Sequence, residues 1–213
     1  ELDYSVDYLT FKDKSEDDAN YKLTCNVSIE TIKNDLKLTM KVSNHDCCFT
    51  AWDDYDTTAS DGIHLMLFGT EKYSYNSIYI FPKIINGEAR AIPVDVKRTE
   101  KYVIAPSLVN TTCEVTNDGY VVTVILTNKF LQENYLSKYL YMGLVVVDCS
   151  TKTRKRKAEL ILADTYSEWY NPVFYVKWNG DMFARRGLIA NTWTIDDHAL
   201  TYAKNNDIMY YHI

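Results

Sequence analysis

The chain has 213 residues, of which 46% are hydrophobic, and it carries a formal net charge of −6. This length suits one all-β domain, and the hydrophobic fraction excludes a chain that is disordered throughout. The acidic charge disfavours nucleic-acid binding, and the lack of an apolar run of about 18 residues predicts that no helix inserts into a membrane. Because the chain begins with Glu1 rather than Met, we expect a mature protein or a piece of a larger one.

Two alternating segments open the predicted fold. Residues 21–29 and 36–42 each alternate between apolar and polar side chains, and the polar run 33–35 between them is a turn signal. Alternation of period two on both sides of a turn predicts a hairpin with one buried face. The residues expected on that face are Leu23, Cys25, Val27, Ile29, Leu36, Leu38, Met40 and Val42.

A long loop, residues 44–61, follows the hairpin and is rich in aspartate and aromatic residues. Long loops on a rigid sheet commonly carry binding residues, which makes Trp52 and Tyr55 candidates. We interpret the aspartates of this loop, Asp61 included, first as a solvated segment. A calcium site is the second interpretation, and a catalytic carboxylate pair is the third. The calcium candidates are Asp53, Asp54 and Asp56.

Further strands are predicted where β-branched and aromatic runs alternate with polar turns, at residues 61–68, 78–83, 111–116, 119–126, 139–148 and 163–172. The best helix candidate is residues 128–138, capped by Asn128, with an apolar face of Phe130, Leu131 and Tyr135. Many short strands with at most one or two short helices predict an all-β antiparallel sandwich of jelly-roll or immunoglobulin-like type. We expect a single domain over residues 1–213.

Sequence signatures of chemistry are scarce in this chain. The five cysteines lack the C-x2-C spacing of zinc sites, and their positions suit either buried thiols or at least one disulfide. Neither G-x-S-x-G nor H-E-x-x-H occurs, and no glycine-rich phosphate loop is present. These observations predict a noncatalytic protein with no cofactor other than the calcium ion considered above.

Five segments occur in an order that resembles a known family. They are Asp61-Gly62-Ile63-His64-Leu65-Met66-Leu67, then Tyr79-Ile80-Phe81-Pro82-Lys83 with the turn Asn86-Gly87, then residues 119–131, then the strand ending at Asp148, and last Trp169-Tyr170-Asn171-Pro172. Over residues 20–178 this order resembles the family 9 carbohydrate-binding modules and their DOMON-type relatives. The tail, residues 180–213, lies outside the resemblance. Three positions depart from the family pattern: His64 and Thr123 stand where the family has Glu, and Thr127-Asn128 replaces a Pro-aromatic pair.

The resemblance implies a noncatalytic, secreted or cell-surface module that binds an oligosaccharide or polysaccharide and forms part of a larger protein. In such a site aromatic rings stack on the sugar face, and charged or amide groups bind hydroxyl pairs. The residues that it implies for the site are Trp52, Tyr55, His64, Lys83, Trp169 and Tyr170. Two alternatives stay open: a structural or protein-binding sandwich without a sugar site, and a jelly-roll enzyme that acts on polysaccharides.

Overall fold

The computed structural model describes residues 2–6, 9–12, 23–44, 46–49, 59–69, 74–96, 101–137, 140–149, 151–152, 156–162, 176–178 and 183–184. Within these residues the chain forms fourteen strands and one short helix, α1 (Asn128–Glu133). The strands are β1 (Leu2–Val6), β2 (Leu9–Lys12), β3 (Thr24–Ile32), β4 (Asp35–Ser43), β5 (Gly62–Gly69), β6 (Ser74–Ile85), β7 (Glu88–Asp95), β8 (Tyr102–Val103), β9 (Val109–Thr116), β10 (Gly119–Leu126), β11 (Leu140–Cys149), β12 (Arg156–Leu162), β13 (Val176–Trp178) and β14 (Phe183–Ala184). The strand predicted at residues 163–172 lies outside the described residues.

Two antiparallel sheets make up the fold. The first sheet has the strand order β1-β3-β4-β10-β9, and the second has the order β14-β13-β11-β5-β6-β7-β8. Strands β12 and β13 pair with successive parts of the same edge of β11, and β12 also pairs with β2. The all-β antiparallel sandwich predicted from the sequence is therefore confirmed.

The predicted hairpin forms from β3 and β4. Ile32 pairs with Asp35, so the turn consists of Lys33 and Asn34, and Lys33 adopts a left-handed φ of 57°. Asp35, which the sequence pattern assigned to the turn, is instead the first residue of β4. All eight side chains predicted on the buried face are at most 2% exposed, because alternate residues of each strand point towards the second sheet.

The helix is shorter than predicted and has a different cap. It spans Asn128–Glu133, and the Thr127 side chain, not that of Asn128, accepts a hydrogen bond from the Phe130 backbone N–H. Tyr135 follows the helix with a left-handed φ of 56° and is 36% exposed, so it is not on the buried helix face with Phe130 and Leu131. No helix in the described part of the chain is long and apolar enough to cross a membrane.

Cysteine thiols contribute to the interior of the sandwich. All five are free thiols, of which Cys25, Cys48 and Cys149 are buried and Cys47 and Cys113 are half-buried. Burial raises the pKa of the Cys25 thiol to about 12. Such protonated thiols act as small hydrophobic side chains, which was the first of the two interpretations of the cysteine positions.

The middle of the second sheet is buried on both faces. All eight residues of β5 are buried, as are the residues from Ser77 to Lys83 of β6. A strand covered on both sides has no need to alternate, which explains why β5 reads as an almost continuous apolar run. The alternate residues Ile63, Leu65 and Leu67 join the core between the two sheets. The intervening residues of β5 point to the opposite face.

Candidate functional site

The face of the second sheet that points away from the first sheet carries the candidate site, and we call it the outer face. Its side chains alternate with those of the core along each strand, and none of them belongs to the core between the sheets. The outer face comprises Gly62, His64, Met66 and Phe68 of β5, Ser77, Tyr79, Phe81 and Lys83 of β6, and Val145 and Val147 of β11.

His64 is the polar residue at the centre of the outer face. It pairs in register with Tyr79 on β6, and its ring centroid lies 5.9 Å from that of Tyr79. Its Nε2 atom is 2.6 Å from Ser77 Oγ, a hydrogen bond across the diagonal of the two strands. Because His64 is only 6% exposed, this bond and the neighbouring ring hold the imidazole in one orientation.

The Tyr79 ring lies directly over Gly62. A methyl group added to Gly62 would meet Tyr79 Cε1 at 2.1 Å, so only glycine leaves room for the ring. The Tyr79 hydroxyl donates to the Ser60 carbonyl oxygen at 3.3 Å, and the ring packs against Phe81 with centroids 4.4 Å apart. Gly62, the glycine of the Asp-Gly-Ile-His segment, therefore leaves room for the Tyr79 ring to pack beside His64.

Lys83 lies on the same face as His64, towards the far end of β6. It is four residues beyond Tyr79, which places its Cα about 13 Å further along the strand. Its side chain is buried, with 5% exposure. The structure thus brings two of the six predicted site residues to one face of adjacent strands. The other four, Trp52, Tyr55, Trp169 and Tyr170, lie outside the described residues, and so do the calcium candidates Asp53, Asp54 and Asp56.

Three polar or aromatic residues of this face are not among the site residues predicted from the sequence. Ser77 and Tyr79 contact His64, and Glu159 is a buried carboxyl on β12, in register with Val147. Glu159 stands between the inward-facing Ala158 and Leu160, so the alternation of that segment could have assigned it to the outer face. Ser77 and Tyr79 became identifiable only through the register of β5 with β6.

Asp61 was also misassigned. The sequence places it at the end of a polar loop, and we interpreted that loop as solvated. Asp61 is instead fully buried, because it shares the parity of Ile63 and points towards the interior. Among the described residues, no group of three or more His, Cys, Asp or Glu side chains is arranged to hold a metal ion.

The fold of this chain is similar to that of solved proteins, although its sequence matches no known family. No protein-family model and no curated protein matches the sequence. A solved family 9 carbohydrate-binding module from Caldicellulosiruptor kristjanssonii, in complex with glucose, matches with a TM-score of 0.50 over 82% of both chains at 14% identity. The chain has a family 9-like fold. A second such module from the same organism, in complex with cellotriose, has a TM-score of 0.49 at 12% identity, with coverage of 85% of this chain and 84% of the other.

The family 9-like fold confirms the architecture that the order of sequence segments implied. At 14% identity the match establishes the fold but does not identify the site residues. The relation to DOMON domains stays a prediction. In this fold the departure noted from the sequence, His64 in place of Glu, occupies the middle of the outer face, where the side chain is hydrogen-bonded to Ser77.

Proposed function

We propose that this chain is a noncatalytic module that binds an oligosaccharide or polysaccharide through the outer face of the second sheet. The observation that carries the proposal is that His64 and Lys83, both predicted from the sequence, lie on one face of two paired strands. The fold supports it, because the similar module with the TM-score of 0.50 was solved in complex with glucose.

The chemistry of the proposed site divides between aromatic and polar groups. Trp52, Tyr55, Trp169 and Tyr170 would stack on the apolar face of a pyranose ring. His64 and Lys83 would make directional hydrogen bonds with hydroxyl groups, and Lys83 would do so as a charged donor. Both side chains are nearly buried, so the sugar would meet only the small exposed part of each, where water competes weakly for the hydrogen bonds.

Four further features belong to the same proposal. The module would be secreted or displayed on a cell surface, would be one domain of a larger protein, would bind no nucleic acid, and would hold at most a calcium ion at Asp53, Asp54 and Asp56. The absence of sequence signatures for hydrolysis supports a noncatalytic role. If the chain were instead a jelly-roll enzyme, incubation with a retained polysaccharide would release new reducing ends, and we expect none.

A glycan array and affinity gels containing glucans or other plant and microbial polysaccharides test the proposal. We expect Trp52→Ala and Trp169→Ala each to weaken retention by about tenfold or more, the loss of one stacked aromatic ring. His64→Gln, which keeps a hydrogen-bonding amide, and Lys83→Met, which keeps the length but not the charge, test the polar groups.

Tyr102→Ala is the matched control, because Tyr102 is a 50% exposed aromatic on β8 at the edge of the second sheet. Its retention should equal that of the unmodified protein. Retention by no glycan would contradict the proposal and favour a structural or protein-binding sandwich. Retention that is the same in all the variants would place the binding surface elsewhere.

A further inference from the structure

A second polar cluster lies on the opposite side of β5, inside one end of the sandwich. It consists of Asn44, Asp61 and Asp148, which are 3%, 0% and 1% exposed. The side-chain nitrogen of Asn44 donates to Asp61 Oδ2 at 3.2 Å and to Asp148 Oδ1 at 2.7 Å. The Asp46 backbone N–H donates to Asn44 Oδ1 at 3.1 Å, which fixes the direction of the amide. One amide nitrogen therefore bridges two buried carboxyl groups.

The Asp61 carboxyl also joins two segments that are distant in sequence. Its Oδ2 accepts from the Cys48 backbone N–H at 2.8 Å, and its Oδ1 accepts from the Cys149 backbone N–H at 2.7 Å. The Asp61 backbone N–H in turn donates to the Cys48 carbonyl at 2.9 Å. The cluster thus fastens the two described ends of the loop, residues 44–49 without His45 and residues 59–61, to the end of β11. We call these ends the loop neck.

The arrangement resembles an anchor rather than a cation site. N–H groups donate to both oxygens of Asp61. They occupy the positions from which a cation would otherwise approach the carboxyl group. The fixed amide of Asn44 presents its nitrogen, not its oxygen, to the carboxyl groups. Metal ions of the calcium type need oxygen ligands, so this donor set is suited to holding carboxyl groups in place.

Two buried carboxyl groups this close repel each other when both are anions. Since they accept from the same nitrogen, the two bonded oxygens are no more than about 6 Å apart, a distance at which like charges raise each other's proton affinity. Among the described residues, the titratable side chains that interact electrostatically with Asp61 are acids: Asp148 from β11, Tyr120 from β10 and Cys47 from the loop neck. Burial, and then the charge of Asp148, raises the pKa of Asp61 well above its usual range, against the opposing effect of the two backbone N–H groups.

We propose that Asn44, Asp61 and Asp148 form a proton-dependent clamp, in which the two carboxyl groups share a proton and its loss loosens the loop neck. With one proton between the two carboxyl groups the cluster carries a single negative charge, and the Asn44 amide and the backbone N–H groups of Cys48 and Cys149 donate to the carboxyl oxygens. When a base in solution removes this proton, two buried anions face each other across one amide. Repulsion between the two anions then pushes Asp61 away from Asp148, against the hydrogen bonds from Asn44, Cys48 and Cys149 that keep it in place.

The direction of the pH effect follows from where the proton binds more tightly. An aspartate in the unfolded chain has a pKa of about 3.9, and the pKa of Asp61 in the folded protein is higher. The folded protein therefore holds the proton more tightly, and this contribution to stability is complete below about pH 4. This contribution to stability is lost as the pH rises through the raised pKa of Asp61 in the folded protein.

The test compares the pH dependence of thermal unfolding in the unmodified protein and in Asp148→Asn from pH 4 to pH 9. Asp148→Asn keeps the shape and an acceptor for Asn44 but removes the like charge. We expect the unmodified protein to lose about 3 to 5 °C of Tm per pH unit, relative to Asp148→Asn, across the titration. Asp118→Asn is the control, because Asp118 is an exposed carboxyl in the β9–β10 turn. Its pH profile should follow that of the unmodified protein.

A difference in Tm between the unmodified protein and Asp148→Asn that is constant with pH would overturn the clamp. If Asp148→Asn does not fold, amide hydrogen exchange of the unmodified protein gives the answer. We expect the protection factors of the Cys48 and Cys149 amides to fall with rising pH by more than those of Val122 and Val124 in the core of β10. Equal changes at the four amides would refute the proposal. Neither measurement uses a glycan. Failure of the clamp would therefore not contradict the proposed glycan binding, which is tested separately by retention on glycans.

Discussion

Replacement of Gly62 by alanine tests the packing on which the outer face depends. The new methyl carbon would lie 2.1 Å from Tyr79 Cε1, 2.6 Å from Cζ and 2.7 Å from the hydroxyl oxygen. Carbon atoms pack no closer than about 3.5 Å, so the ring must move by about 1 Å or more. The ring is 1% exposed and has Phe81 beside it, with centroids 4.4 Å apart. The movement therefore disturbs a buried aromatic pair as well as the bond to Ser60.

The expected cost can be worked out from these contacts. Overpacking of a buried site costs about 1–3 kcal/mol, and loss of the hydrogen bond from Tyr79 to the Ser60 carbonyl adds about 1 kcal/mol. We expect Gly62→Ala to be less stable by about 2–4 kcal/mol, which for a chain of this length lowers the Tm by about 5 to 15 °C. Thermal and urea unfolding, followed by circular dichroism or tryptophan fluorescence, measure the change.

Two comparisons separate the ring contact from the backbone. Gly87→Ala introduces a methyl group at a φ of 81° with no atom within 4 Å, so it should cost only the backbone strain, about 1–2 kcal/mol. Tyr79→Leu removes the ring, and we expect it to cost less in the Gly62→Ala background than alone, because the clash has gone. A loss for Gly62→Ala no larger than that of Gly87→Ala, or strict additivity with Tyr79→Leu, would refute the reasoning.

Two further predictions follow from the cap and the thiols. Thr127→Ala removes both the acceptor for the Phe130 N–H and the donor to the Leu108 carbonyl, and it should cost about 1–2 kcal/mol in urea unfolding, whereas Thr127→Ser should restore most of that. Burial raises the pKa values of the Cys25 and Cys113 thiols to about 12 and about 11. At pH 8 we therefore expect both to react with iodoacetamide about 100-fold or more slowly in the folded protein than in urea, and equal rates would show that the thiols are not held in this environment.

Local pattern was enough to predict the hairpin of the first sheet. In β3 and β4 one face is in the core and the other is largely polar, so period-two alternation marked both the strands and their buried residues. The same rule fails for β5, because all eight of its residues are buried and alternation disappears. The sequence predicts that this segment is a strand but does not show that His64 points away from the core. That orientation follows from its register with Tyr79.

The remaining errors come from contacts between residues that are far apart in sequence. Thr127 and Asn128 are both good capping residues, so the local sequence does not choose between them. The choice is made by Asp35, whose carboxylate accepts from the Asn128 backbone N–H at 2.7 Å and so fixes Asn128 as the first helical residue. The burial of Asp61 has a similar origin, since its bridging partners Asn44 and Asp148 are 104 residues apart.

Strand β5 therefore serves two sites through its two faces. Asp61, the residue immediately before β5, points inward to the clamp with Asn44 and Asp148, while His64, three residues later, points outward to Ser77. Three residues is an odd number, so in a strand the two side chains lie on opposite sides of the sheet. The two sites are linked through the backbones of β5 and β11 and through Tyr79, whose hydroxyl reaches the Ser60 carbonyl next to Asp61. Changes that neutralise the clamp should thus alter the pH dependence of stability while the His64–Ser77 pair stays in place, whereas changes at Gly62 or Tyr79 should affect both.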